Sequence, residues 1–320
     1  MILADYLLSQ PGLTWEYAKQ CGVNHGVIRL PETADFDLTK ESHWRQVYHR
    51  FTQAQIRPVV IEPMPNALHD HIKAGDSARD ESIEKVLQMF PILDALDIRT
   101  ICFNFMAHIG WYRTTHTFVE RGGAQVTGFR REDFVSPTQA TILPEELWYN
   151  LEYFLKAVLP AAERYGIRLA LHPDDPPVEQ LAGVSRILIS PDAIDKALHL
   201  VESDSIGVCL CQGCYGAMGE NVMEVIDRFG AQGKIFMVHY RDVAGTRENF
   251  HEPFHDNGPP ERALALEHYR KWNCHVPIRI DHVPTMAGEQ TDVPGYASIG
   301  RLFAIGYLKG LLDAQHYPYI

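Results

Sequence analysis

Four residues in this chain have the types that hold a divalent metal, and each closes a short apolar run. They are His172 in Leu-Ala-Leu-His-Pro-Asp-Asp-Pro-Pro, Cys211 in Val-Cys-Leu-Cys-Gln-Gly, His239 in Phe-Met-Val-His-Tyr-Arg and Asp281 in Ile-Arg-Ile-Asp-His. Imidazole, thiolate and carboxylate are ligands for transition metals. Adjacent parallel strands lie about 4.8 Å apart, so side chains at the ends of four neighbouring strands can converge on one cation. This donor set is too soft for a calcium cage and leaves coordination positions open. Mn²⁺, Fe²⁺, Co²⁺ or Zn²⁺ would suit such a set, with Mg²⁺ less suited because of the thiolate, and the ion would act as a Lewis acid on substrate oxygens. A competing use of one segment is a zinc knuckle on Cys209-x-Cys211-x-x-Cys214. A knuckle needs a fourth ligand nearby in sequence, and residues two apart on a strand share a face at different depths.

Around this ion stand further candidates. His282 follows Asp281 directly and can act as acid or base. Tyr296, in Val-Pro-Gly-Tyr, is placed at the same rim; its phenol serves as a base only if a cation lowers its pKa. Asn104, Trp111, Arg113 and Arg241 are candidates for substrate binding, because an arginine facing a carboxylate grips it bidentately and suits an acidic sugar. His251, Glu252 and His255 form a second polar cluster, read as a rim element and no more.

These residues need a scaffold that brings strand ends together. Val-, Ile-, Cys- and Phe-rich runs recur near 2–7, 26–30, 58–62, 100–105, 168–172, 207–211, 235–239 and 278–281. Amphipathic helical segments follow them near 13–21, 42–54, 80–96, 145–165, 191–202, 220–229, 260–272 and 298–314. Ser190-Pro191-Asp192 and Pro144-Glu145-Glu146 read as helix starts, and Gly166 and Gly230 as left-handed helix ends. Eight strand–helix units predict a (β/α)8 TIM barrel, in which catalytic groups sit at the carboxyl ends of the strands. The competing doubly wound sheet usually shows a glycine-rich phosphate turn, and no G-x-G-x-x-G or G-x-x-x-x-G-K-[ST] occurs. No repeat or linker divides the chain, so residues 1–320 are expected to form a single barrel domain. The one irregularity is a long lid-like loop over 107–143, inserted after the fourth strand, which carries Trp111, Arg113, Arg121, Arg130 and Arg131.

Composition narrows the partners. Across 320 residues, Lys+Arg 29 against Asp+Glu 41 leaves a formal charge of −12. That charge repels phosphate backbones and anionic lipid, which argues against nucleic-acid and membrane partners and against a barrel endonuclease with its basic groove. Six cysteines are too few for a disulfide scaffold. The N-terminal Met-Ile-Leu-Ala-Asp-Tyr-Leu-Leu lacks a basic flank, and no apolar run approaches the ~20 residues that span a bilayer. A cytoplasmic enzyme acting on a small molecule is expected, with subunit contacts through its long loop making a homo-oligomer.

His172-Pro-Asp-Asp-Pro-Pro, Leu210-Cys-Gln-Gly213, His239-Tyr-Arg-Asp-Val and Asp281-His282-Val-Pro-Thr-Met with Pro294-Gly-Tyr296 together resemble the mannonate dehydratase family. Asn104-Phe-Met and Trp111-x-Arg113 resemble that family's fourth-strand segment, and the likeness runs from about Ile98 to the end. The resemblance implies a metal-dependent lyase of hexuronate breakdown in the xylose-isomerase-like barrel superfamily. It converts D-mannonate to 2-keto-3-deoxy-D-gluconate and water. It places the metal on His172, Cys211, His239 and Asp281, and acid–base roles on His282 and Tyr296. The chain departs from the family in its first strand, which lacks an Arg-Trp-aromatic-Gly segment. It also departs at Gly110, where the family has an acid, and at Cys211-Gln-Gly-Cys214, where the family reads Cys-Thr-Gly-Ser. A dehydratase of another sugar acid, or a sugar isomerase or epimerase, is the alternative. Such isomerases pair two acids as metal ligand and base, and no second acid completes the pair with Glu62 at the later strand ends where Cys211 and His239 stand.

Overall fold

The computed structural model describes residues 1–259, 263–291 and 293–320. The chain begins β1 (Ile2–Leu8), α1 (Leu13–Gln20), β2 (His25–Arg29), α2 (Glu41–Gln53), β3 (Arg57–Ile61), α3 (Asn66–Ala74), α4 (Arg79–Ala95) and β4 (Thr100–Phe103). It continues through β5 (Thr115–Val119), β6 (Gln125–Arg130), α5 (Pro144–Tyr165), β7 (Arg168–Leu171), β8 (Gln180–Leu181), β9 (Val184–Ser185) and α6 (Pro191–Leu198). The last third holds β10 (Ile206–Cys211), α7 (Gln212–Met218), α8 (Val222–Ala231), β11 (Ile235–Tyr240), β12 (Ala244–Thr246), β13 (Asn249–His251), α9 (Ala265–Lys271), β14 (Pro277–Ile280) and α10 (Ser298–Ala314). Strands β1, β14, β11, β10, β7, β4, β3 and β2 close in that order into a parallel barrel. All eight expected strands form, each within two residues of its predicted ends. Residues 260–262 of the helix expected near 260–272 lie outside the described residues, and its observed part is α9.

Strand alternation explains why the barrel closes on itself. One inward cluster gathers Ala4, Val27, Val60, Cys102, Ala170, Cys209 and Met237 from seven different strands, and these small or slim side chains fill the barrel at that depth. The outward faces bury a larger layer against the helices. There Trp15 stacks on Phe51 with ring centroids 4.0 Å apart. The indole N–H groups of Trp15 and Trp44 donate to the carbonyls of Leu8 and Leu38 at 3.0 and 2.8 Å, so burying them strands no donor. No described helix is long and apolar enough to cross a membrane.

Local signals are mostly obeyed. The Ser190 hydroxyl accepts from the Ala193 N–H at 3.1 Å, and Gly166 ends α5 at φ +63°. Gly230 differs from expectation. It lies inside α8, and the left-handed turn falls three residues later at Gly233, φ +66°. A Cβ at Gly230 would come within 2.5 Å of Trp272, so this glycine admits the indole of the next unit. Helices α3 and α7 were not foreseen.

The segment over 107–143 also differs from the irregular loop expected. It contains the hairpin β5–β6, which joins β12–β13 from the connection after β11 in a four-stranded antiparallel sheet, order β12-β13-β6-β5. Phe129 pairs with Phe250 and Gly128 with His251. A Cβ at Gly128 would sit 3.0 Å from the Phe250 carbonyl oxygen, so the approach of these two excursions suits glycine. Both excursions leave the carboxyl ends of barrel strands, the face to which His172, His239 and Asp281 belong.

Candidate metal centre and active site

The strand ends converge as their positions require. Ligand atoms of His172, Cys211 and His239 all lie within 4.8 Å of one another. Asp281 Oδ2 stands 3.9 Å from Cys211 Sγ and 3.7 Å from His239 Nδ1, so the fourth residue closes the group. His172 and Asp281 follow β7 and β14, while Cys211 ends β10 and His239 lies in β11; these strands adjoin in the ring.

The donor set fits a divalent cation. His239 is 1% exposed, and neither of its ring nitrogens has a directed hydrogen bond among the described residues. Burial and Arg279 oppose a proton on His239, yet Glu62 and Asp281 draw its pKa well above the imidazole value. A divalent ion would occupy that same negative field. Burial would raise the Cys211 thiol, but Cys214, Arg241 and His172 pull it well below its ordinary value, favouring the thiolate that ligates. His172 Nδ1 lies 2.6 Å from the Pro173 carbonyl oxygen, which can only accept. The proton therefore sits on Nδ1, and Nε2 is left for the centre. Cys209 is not part of this group. It sits one layer deeper beside Cys102 and His239, so the zinc knuckle on Cys209, Cys211 and Cys214 is not the arrangement found.

Arginine and carboxylate side chains form the supporting layer. Arg279 Nη1 donates to Asp281 Oδ1 at 2.8 Å and Arg241 Nε faces Asp281 Oδ2 at 2.7 Å. Burial opposes ionisation of Asp281, but His282, Arg279, His239 and Arg241 hold its carboxyl well below the usual range. Arg279 also grips Glu62 through two donors at 3.0 and 2.8 Å, and Glu62 Oε1 lies 3.0 Å from His239 Nε2.

A cavity of about 1100 Å³ opens over the centre, lined by His172, His239, Asp281, His282, Tyr296, Asn104 and Trp111 among others. Arg113 and Arg241 do not line it, which corrects the substrate-binding role expected of them. Arg113 spends both terminal nitrogens on Asp175 at 2.6 and 2.8 Å and reaches Glu252 at 2.8 and 3.2 Å. Arg241 pairs with Asp175 at 2.7 Å and with Glu252. Asp175 and Glu252, with Asp281 in addition for Arg241, already engage these guanidinium groups, so they position other residues instead. The cations that do face the cavity are Arg29, Lys73, Arg279 and Arg301. Trp111 Nε1 is a buried donor with no hydrogen-bond partner among the described residues, and the Asn104 side chain accepts from the Met106 N–H at 3.1 Å.

Glu252 matters more than its reading as a rim residue implied. It turns inward and meets Arg113, Arg241, Thr127 and His282, whose Nδ1 lies 2.7 Å from Glu252 Oε1. A carboxylate here only accepts, so His282 carries its proton on Nδ1 and presents Nε2, 3.7 Å from Asp281 Oδ1. His251 and His255 turn elsewhere, toward Glu120 and the Tyr240 carbonyl. The Tyr296 hydroxyl lies 3.4 Å from Asp281 Oδ1, and its ring meets His282 edge-on at 5.3 Å. Burial and then Asp281 push this phenol well above its ordinary value, so it stays protonated and donates.

Asp175 and Arg279 were not singled out beforehand, and Glu62 was weighed only as an isomerase-type acid. For Arg279 a signal existed, because period two in Ile278-Arg279-Ile280-Asp281 sets it on the same face as Asp281. Folded carboxylates with depressed pKa values give stability that is full above the unfolded value and lost as pH falls through the folded one. Burial opposes the shift at Glu252, where Arg113, His282 and Arg241 overcome it, so Glu252 and Asp281 both belong to this class. The melting temperature should therefore not fall on their account between neutrality and about pH 5, and should drop below about pH 4. A calorimetric pH series checks this, and a steady decline beginning near pH 7 would contradict it.

Comparison with known proteins follows this geometry. The sequence profile of the D-mannonate dehydratase (UxuA) family matches residues 9–143 and 135–318. Mannonate dehydratase 2 of Halalkalibacterium halodurans is 31% identical, over 93% of this chain and 94% of that protein. The mannonate dehydratase of Streptococcus uberis is 28% identical over 94% of each. The crystal structure of mannonate dehydratase from Streptococcus suis serotype 2 superposes with a TM-score of 0.89 at 27% identity, covering 98% of this chain and 93% of that one. A D-psicose 3-epimerase structure, at 14% identity and TM-score 0.62 over 98% of this chain and 99% of its own, shares the barrel alone.

Proposed function

Because the chain belongs to the mannonate dehydratase family, we propose that it removes water from D-mannonate to give 2-keto-3-deoxy-D-gluconate, with its residues in the following roles. The observation that carries the reading is the convergence of His172, Cys211, His239 and Asp281 under a cavity rimmed by His282 and Tyr296. Those four would hold a divalent ion, Mn²⁺ or Fe²⁺ by their mixed donors, and when bound it would supply Lewis acidity to the substrate's oxygens.

Elimination needs a proton taken from C2 and one given to the departing C3 hydroxyl. His282 suits the first task. Its Nδ1–H is tied to Glu252, which leaves a lone pair on Nε2 and a carboxylate behind the ring to balance the charge it gains. Tyr296 suits the second, since its phenol keeps its proton beside Asp281. Trp111 packs against the His282 ring at 4.9 Å and offers its unpaired Nε1–H to the substrate's hydroxyl groups. An epimerase reading finds less support, because Arg279 binds Glu62 through two donors, which ties up the carboxylate that would serve as base.

The test uses D-mannonate deuterated at C2, with Mn²⁺ added and the 2-keto-3-deoxy product measured. Tyr296→Phe should still exchange the C2 deuterium with solvent while product formation falls by roughly 10²–10⁴. His282→Asn should lose both. Exchange surviving in His282→Asn and lost in Tyr296→Phe would reverse the two roles, and no product from the unaltered protein would refute the substrate.

A further inference from the structure

Beneath the catalytic group lies a second set of ligand-type side chains that the proposed reaction does not use. Cys102 on β4 and Cys209 on β10 point into the barrel from strands separated only by β7, and with His239 their ligand atoms all lie within 4.8 Å of one another. Cys102 is 2% exposed, and Cys209 and His239 are 0% and 1% exposed. None of the six cysteines is in a disulfide. Cys102 lines the cavity, so an ion entering the active site can reach this layer. His239 belongs to both groups. Its Nδ1 faces Asp281 Oδ2 at 3.7 Å and its Nε2 faces Glu62 Oε1 at 3.0 Å, with no directed hydrogen bond to either nitrogen.

We propose that Cys102, Cys209 and His239 form a second cation site, selective for thiophilic ions such as Zn²⁺ and Cd²⁺, which competes with the catalytic centre for His239. The chemistry separates the two sites. Two thiolates and one imidazole are a soft set, whereas one thiolate, two imidazoles and a carboxylate accept harder ions such as Mn²⁺. Two thiolates also neutralise a dication, which a buried, poorly solvated position requires. Occupation of the lower site recruits His239 away from Asp281, His172 and Cys211, so a thiophilic ion inhibits without needing to take the catalytic position. The sharing of His239 rests on the functional reading above, while the lower site itself rests only on the placement of the three residues.

Cd²⁺ is the probe, because its bonds to thiolates give an ultraviolet charge-transfer band that counts them. Metal-free protein titrated with Cd²⁺ should show a band whose amplitude halves in Cys209→Val. Two thiolates bind in the unaltered protein, whereas in the variant either set, Cys102 with His239 or the upper group through Cys211, offers one. Activity of the Mn²⁺-loaded enzyme should persist in Cys209→Val, and its inhibition by Cd²⁺ should weaken at least tenfold. If Cys209→Val does not fold, Cys209→Ser, nearly isosteric and a poor ligand, takes its place. A band unchanged in these variants and abolished by Cys211→Ser alone would overturn the site while leaving the catalytic reading intact. A halved band with unaltered Cd²⁺ inhibition would overturn the competition for His239.

Discussion

Asp281→Asn is expected to abolish the dehydration and to strip the metal. This carboxylate meets Cys211, His239 and Arg241 through Oδ2, and Arg279 and Tyr296 through Oδ1. Asparagine keeps the shape but removes the charge, so the cation loses an anionic ligand and two buried guanidinium groups lose a partner. Lewis-acid assistance contributes several kcal/mol to a barrier, so the rate should fall on the order of 10³-fold or more. Breaking a buried ion pair from one side costs about 3–5 kcal/mol; Glu62 remains for Arg279 and Glu252 and Asp175 for Arg241, which puts the loss toward the lower figure. Metal analysis after gel filtration, with a denaturation curve, checks both parts. A variant that retains stoichiometric Mn²⁺ would show that the carboxylate is not a ligand.

Glu252→Gln should behave differently. Its metal content should stay whole while kcat falls about 10- to 100-fold with little change in KM, the range in which loss of an outer-shell partner acts. The carboxylate orients His282 through Nδ1 and balances the charge His282 gains when it takes a proton. Glutamine can still accept one hydrogen bond, but it cannot balance that charge. The same substitution leaves Arg113 with Asp175 and Arg241 with Asp175 and Asp281 as anionic partners, so stability should also decline. Glu252→Ala, which loses orientation as well as charge, should fall further than the glutamine variant. Equal activity in the two would mean that the carboxylate only fills space, and a normal kcat in Glu252→Gln would remove it from the machinery.

The two outcomes mark how far linear reasoning reaches. Residues at successive strand ends share a place in the fold, so His172, Cys211, His239 and Asp281 could be picked out from strand–helix alternation before any contact was known. Period-two patterning likewise dictates which residues of each strand share a face. A glycine's use is less local. Gly230 looked like a helix end but is needed where Trp272 packs against it.

What only the tertiary structure decided is the partner of each charged side chain. An arginine in a loop has the same chemistry whether it meets a substrate or a buried carboxylate, and the choice depends on which distant loops are brought together. Arg113 and Glu252 are 139 residues apart and meet because β6 pairs with β13. Neither hairpin is stable alone, and the strand length that completes each is supplied by the other. Hydrophobic period and strand order are carried by neighbours along the chain, so the barrel and its candidate metal ligands are written locally. Pairing of charges is settled by burial, which removes water as the competing partner, and burial exists only after the chain has closed.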